Sequence, residues 1–326
     1  MPRILLVVMQ AHEQALQILL IGLANGSLIA LVALGYTLVY GIIELINFAH
    51  GDVFMIGTMA ALTVVTWTPT AFGMASAAAL APPLVIPLLL LTILVPMVLC
   101  GVLNVAIERF AYRPLRRAPR LAPLISAIGV SFILVNLGLY WKGASPVDFP
   151  SLLPQIDIFK DVMRVPTTVT FALKDLLVIV IALPLAYGLS LFIRHTRLGR
   201  AMRATAQDRE AAALMGIDIN TTIMLAFLLG GALAGAAGAM YGLYNNTAWF
   251  FQGFRNGLYA FTAAVMGGIG NVNGALLGGL LIGLIAAFSD FLIDPRWTQA
   301  VVFGLLILVL VFRPSGLLGE DTPERA

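Results

Sequence analysis

Charge is the scarcest property of this sequence: 11% of its residues are Asp, Glu, Lys or Arg, against about 25% in an ordinary soluble domain. Cysteine occurs once, as Cys100 inside an apolar run. That excludes an internal disulfide and a thiolate metal cluster, and Cys100 reads as a structural thiol. Histidine is limited to His12, His50 and His195, with no pair at ligand spacing, so no metal is expected. The three lysines are Lys142, Lys160 and Lys174, and no GxxxxGK[ST] loop is present, so the chain has no P-loop ATP site of its own. GxSxG is missing too, and Ser, His and carboxylates never gather around a plausible nucleophile. These absences argue against an enzyme, and no cofactor is expected. Strand-like alternation is lacking throughout, which removes a β-barrel.

Apolar residues make up 60% of the 326, and the mean hydropathy is +0.97. Apolar segments fall near 15–42, 53–69, 83–106, 122–141, 174–193, 219–244, 258–290 and 297–312. Several reach the roughly 17–25 residues that a helix needs to cross a bilayer. The fold expected is an all-α, polytopic transmembrane bundle of about 8–10 spanning or re-entrant segments, including discontinuous helices, treated as a single transmembrane domain over 1–326. The opening "MPRILLVVMQAHEQ" has too short an apolar stretch and no small-residue cleavage site, so it reads as mature sequence.

Sixteen of the nineteen basic residues are Arg. Five stand in "ERFAYRPLRRAPR" (Arg109, Arg113, Arg116, Arg117, Arg120) and five in the segment 194–218 (Arg194, Arg197, Arg200, Arg203, Arg209). Cytoplasmic loops collect Lys and Arg, so both loops are placed in the cytoplasm, and the two spans between them agree. No basic run is interleaved with aromatics, which argues against nucleic acid as a partner. The segment 142–173, with four prolines and mixed charge, is then external. It predicts an irregular ordered cap suited to docking.

Two polar interruptions stand out. "ELINFAHGDVFMIG" places Glu44, Asn47, His50 and Asp52 between long apolar runs, although an acidic residue at the centre of a spanning helix costs roughly 2.5–3.5 kcal/mol. Asp52 opens an apolar helix, where its carboxylate meets the positive end of the helix dipole, worth about 0.3–1 kcal/mol. A simple turn with a capping acid and a break lining a pathway both fit, and are compatible. The turn carries no Lys or Arg, which is odd for a cytoplasmic loop. The second interruption is "MGGIGNVNGA", in a run too long for one span, and predicts a broken helix or a re-entrant hairpin around Asn271 and Asn273. From Gly230 to Gly283 the chain carries 14 of its 31 glycines, a density that tight helix packing explains for most of them. The two interruptions are weakly alike, as in transporters built from repeats with discontinuous helices.

The segment "TRLGRAMRATAQDREAAALMGI" predicts a short amphipathic helix, lying on the membrane surface or docking into a partner, with Gly216 as its stop. Within it "EAAALMG", Glu210 to Gly216, resembles the EAA-loop pattern of permease subunits of ABC importers. The Ile-x-Leu-Pro continuation of the fuller pattern is absent after Gly216. Together with "GYTLVYGIIELINFAHGDVFMIG", "AFTAAVMGGIGNVNGALLGGLLIG" and the closing "RPSGLLG", it resembles the branched-chain amino acid (Liv-type) permease family along nearly the whole chain.

The resemblance implies one permease subunit of an ATP-driven importer in a bacterial inner membrane. Its implied partners are a sister permease, two cytoplasmic ATPase subunits, an external substrate-binding protein and membrane lipid. It implies that Arg203, Asp208, Glu210, Ala211, Ala212 and Gly216 couple the chain to the ATPase. The substrate-pathway candidates are Glu44, Asn47, His50, Asp52, Asn271 and Asn273, by cost and position. Relatives of this kind import branched-chain or other amino acids, urea or short amides. An ion-coupled secondary transporter or channel is the competing class, with Glu44 and Asp52 as ion sites and no need for the EAA-like helix.

Overall fold

The structure is a computed structural model that describes residues 2–71, 82–116, 118–119, 121–165 and 167–319, with side chains from residue 12 onward. Arg117, Arg120 and the closing residues 320–326 lie outside the described residues.

Eleven α-helices make up nearly all of the described chain: α1 (Pro2–Ile43), α2 (His50–Ala71), α3 (Pro82–Ile107), α4 (Leu121–Lys142), α5 (Leu173–His195), α6 (Arg197–Gln207), α7 (Arg209–Leu214), α8 (Ile219–Asn245), α9 (Gln252–Gly267), α10 (Val272–Leu292) and α11 (Thr298–Phe312). Seven are long and apolar enough to cross a membrane, and α11 is a shorter apolar helix. The expected bundle with discontinuous helices is therefore the fold, and the long 258–290 run resolves into two helices.

The glycines explain how helices this apolar pack so closely. A β-carbon built on Gly283 of α10 would stand 2.2 Å from Gly26 Cα of α1, and one on Gly279 would stand 2.3 Å from Ala30 Cα. No side chain fits at such a contact. Backbone proximity of this kind holds helices together in lipid, where the hydrophobic effect does not favour association. Helices α1, α2, α8, α9 and α10 form the inner group, while α4 and α5 stand at the periphery.

The two ends of the bundle differ. At one end, the segment between α4 and α5 pairs β1 (Val147–Asp148) with β2 (Thr247–Ala248), antiparallel. It is pinned to α1, with Thr170 N–H donating to Gln17 Oε1 at 2.7 Å and the Gln17 amide donating back to Thr170 O at 3.0 Å. This is an ordered cap, as the prolines and mixed charge suggest. At the other end lie α6, α7 and the loop after α3, carrying the arginines. The expected single amphipathic helix is here two. Asp208 takes an extended conformation and accepts from the N–H groups of Glu210 and Ala211, ending α6 and capping α7 in one step.

Candidate functional site

The first break begins where α1 ends at the arginine-rich end. Glu44 takes a positive φ of 54°, and the chain folds back into the bundle through residues 45–49 before α2 starts at His50. Depth follows from the neighbours of His50. A β-carbon on Gly35 would lie 2.3 Å from His50 Nε2 and 3.0 Å from the carbonyl oxygen of Gly230. Gly35 is eight residues before the end of α1, so α2 starts about 12 Å inside that end, at a rise of 1.5 Å per residue. Gly230 stands about 16 Å from the start of α8 and about 22 Å from its end by the same rise. His50 therefore sits deep in the bundle, edge-on to Tyr36 with ring centroids 4.7 Å apart.

Asn47 and Asp52 hydrogen-bond to other elements of the bundle, whereas neither ring nitrogen of His50 has a hydrogen-bond partner among the described residues. The Tyr112 hydroxyl donates to Asn47 Oδ1 at 3.1 Å, Asn47 Nδ2 donates to Asn104 Oδ1 at 3.5 Å, and Asn104 Nδ2 donates to the Phe227 carbonyl at 2.7 Å. This chain ties the break to α3 and α8. Asp52, in the first turn of α2, accepts at Oδ2 from the Ser131 hydroxyl of α4 at 2.5 Å; its Oδ1 has no hydrogen-bond partner among the described residues. Asn47, His50 and Asp52 are all buried, whereas Glu44 is exposed. The sulfhydryl of Cys100 donates to Val53 O at 3.3 Å, an interior role that suits a structural thiol.

Glu44 opens onto a cavity of about 540 Å³ at the arginine-rich end, lined also by Tyr112, Phe227, Arg116, Asp208, Arg209 and Glu210. Tyr112 stands between this cavity and the buried Asn47. Arg116 bridges to the buried Glu108 carboxylate and donates to Asn220 Oδ1 at 2.8 Å. Burial pulls its guanidinium below the ordinary arginine value, and Glu108 opposes that pull. Asp218 caps α8 and is held below the usual carboxylate range, chiefly by the Thr221 hydroxyl.

Helix α7 carries the EAA-like residues. Ala212 is buried, and Glu210 and Ala213 are exposed. Gly216 has φ 82°, with Gly216 N–H bonded to Ala213 O and Ile217 N–H to Ala212 O, the paired bonds of a Schellman stop. Leu214 and Met215, at 89% and 83% exposure, project from its tip. Arg203 lies elsewhere: on α6 it donates to the Ile193 carbonyl of α5.

The second break, Gly268 to Asn271, is a hairpin. Gly267 packs on Gly274 and Ala263 on Gly278, so α9 and α10 run antiparallel. Asn271 Oδ1 caps α10 through the N–H groups of Asn273 and Gly274, and its Nδ2 donates to Leu318 O at 2.7 Å. The closing motif "RPSGLLG" thus gains a structural role: Leu317 and Leu318 N–H groups satisfy the Met266 and Gly267 carbonyls at the end of α9. Asn273 accepts from Ser190 at 3.2 Å and, with Arg194 and Arg203, lines a groove of about 510 Å³.

The six pathway candidates therefore divide. Asn47, His50 and Asp52 are inside the bundle, Glu44 faces one cavity and Asn271 and Asn273 face another. The second break nevertheless meets the last turn of α1, since a β-carbon on Gly41 would lie 3.2 Å from Gly270 Cα. The breaks differ in depth, the first lying deep and the second at the bundle end. Sequence reasoning missed Asn104, Tyr112 and Ser131 as partners, and Arg209 as a contact. An isolated Asn in the apolar run 83–106 was the one available signal, because a buried amide left unpaired costs about 1–3 kcal/mol.

Comparison with known proteins agrees with this architecture. The family described as branched-chain amino acid transport system, permease component, matches residues 18–311. The chain is 42% identical over 311 residues to the high-affinity branched-chain amino acid transport system permease protein BraD of Pseudomonas aeruginosa, covering 95% of this chain and 97% of that one. It is 38% identical to the corresponding permease protein LivH of Escherichia coli, covering 93% and 95%. A probable LivH of Methanocaldococcus jannaschii is 28% identical over 90% of each chain. No solved structure matches.

Proposed function

Because the chain belongs to the branched-chain amino acid permease family of ABC transporters, we propose that it imports branched-chain or closely related amino acids, driven by ATP hydrolysis on separate subunits. It is a multi-pass membrane protein and a transport subunit by family. Its partners on this reading are a sister permease, two ATPase subunits and an external binding protein, in a bacterial inner membrane. The positive-inside rule puts the arginine-rich end in the cytoplasm and the cap outside.

The observation that carries the coupling is the form of α7. A six-residue helix held between an Asp208 cap and a Gly216 stop presents Leu214 and Met215 to solvent, where an apolar tip is unfavourable unless a partner covers it. The ATPase is that partner. Its closure moves α7, and α7 transmits the displacement to the bundle. Asp208, Glu210, Ala211, Ala212 and Gly216 form the docking element, and Arg203 anchors it to α5.

The substrate passes the two breaks. Glu44, Asn271 and Asn273 face the cytoplasmic cavities and offer hydrogen bonds to a leaving zwitterion. Asn47, His50 and Asp52 hold the deep break and come into the path when the bundle opens, as discontinuous helices do at transport sites. The test is to purify the chain with the proteins that accompany it, identify the external one and measure what it binds. A branched-chain amino acid supports the reading, and a binding protein selective for urea or a short amide would contradict it.

A further inference from the structure

Toward the cap end of the bundle, a cavity of about 230 Å³ opens between α1, α8, α9 and α10. Arg255 enters it from the first turn of α9 and Asp290 from the last turn of α10. Tyr259, Asn256, Leu28 and Ile29 complete the part of the wall that matters here. Neither charge is neutralised by an ion pair among the described residues, where Arg116 with Glu108 is the one salt bridge. Asp290 accepts from the Thr298 hydroxyl at one oxygen and keeps the other. Arg255, Asp290 and Tyr259 all line this one cavity.

Arg255 and Asp290 are both exposed, in the terminal turns of their helices, so both charges are open to a ligand entering from the cap end. An arginine fork matches a carboxylate in two parallel bonds, and an aspartate matches an ammonium group. Leu28 and Ile29 supply an apolar wall beside them. The volume lies below the ~300–1,000 Å³ of pockets for drug-sized ligands, which suits a small metabolite. Leu28 is eight residues, about 12 Å, along α1 from Tyr36, whose ring meets His50 at the first break. The cavity therefore stands above that break.

We infer that this cavity receives a zwitterionic α-amino acid: Arg255 takes the carboxylate, Asp290 takes the ammonium and the aliphatic side chain packs on Leu28 and Ile29. The inference rests on the functional reading above and names the point at which that substrate first meets this chain. Opposite charges in one cavity favour a molecule that carries both groups over one that carries a single one, because only the former pairs with both side chains.

The test uses the complete transporter in liposomes, with its binding protein, and uptake of radiolabelled leucine. Arg255→Gln and Asp290→Asn should each lower uptake at least tenfold, and Arg255→Lys should recover part of the loss. Saturation-transfer NMR on the same assembly without binding protein should detect leucine, and neither leucinamide nor 4-methylpentanoate, each of which lacks one charge. The leucine signal should vanish in Arg255→Gln. Wild-type uptake with both neutral variants unimpaired, or equal NMR signals from all three ligands, overturns the site and leaves the transport reading standing. A wild-type assembly that imports no branched-chain amino acid overturns that reading and the site with it.

Discussion

Arg209 of α7 donates from Nη2 to the carbonyl oxygen of Ile42 at 2.6 Å, fastening this short helix to the last turn of α1, two residues before Glu44. A helix leaves its last four carbonyls without partners, and a cation there also meets the negative end of the dipole. The contact gives a displaced α7 a direct hold on the first break. Arg209→Ala should leave ATP hydrolysis by the assembly running while leucine uptake falls at least tenfold. Uptake and hydrolysis that stay in their wild-type ratio would remove Arg209 from the coupling route.

Gly216 should tolerate no β-carbon without cost. Its φ is 82° with nothing within 4 Å of an added β-carbon, so the penalty is in the backbone alone, about 1–2 kcal/mol. Gly216→Val should keep membrane insertion and yield intact and weaken co-purification of the ATPase subunits. Glu210→Trp, on the same docking face, should do likewise. Full uptake in either variant would separate α7 from coupling.

The Ser131 to Asp52 hydrogen bond should contribute to stability as a bond to a charged group does, about 1.5–3 kcal/mol. Ser131→Ala leaves Asp52 without its one side-chain partner and should lower the Tm of the detergent-purified protein by several degrees. Ser131→Ala combined with Asp52→Asn should lose less than the sum of the two single changes. Additive losses in that cycle would show that the two side chains do not interact.

Gly283→Ile places a branched side chain where a β-carbon already lies 2.2 Å from Gly26 Cα. Helices α1 and α10 must then separate, and the folded yield in size-exclusion chromatography should collapse. Gly304→Ile on α11, where nothing lies within 4 Å, should fold normally. Equal yields would contradict the packing described between α1 and α10.

How much of this was legible in the sequence depends on distance along the chain. The breaks at Glu44 and Asn271 announce themselves because polar and glycine residues interrupt apolar runs, and the stop at Gly216 follows from local backbone chemistry. The depth of His50 does not, since it is set by the close approach of its ring to Gly35 on another helix. Asn104 and Ser131 are single polar residues in apolar runs, so no periodicity marks their partners. Arg255 and Asp290 are 35 positions apart in the sequence and line one cavity because α9 and α10 form a hairpin. The family resemblance pointed to α7 residue by residue and carried no information about either cavity.

The central proposal, that this chain imports its amino acid driven by ATP hydrolysis on separate subunits, is tested most directly in proteoliposomes holding the assembled transporter and supplied with loaded binding protein. Leucine uptake should require ATP at the cytoplasmic face and persist when an uncoupler abolishes the proton gradient. Uptake that survives removal of ATP and collapses with the proton gradient would contradict it.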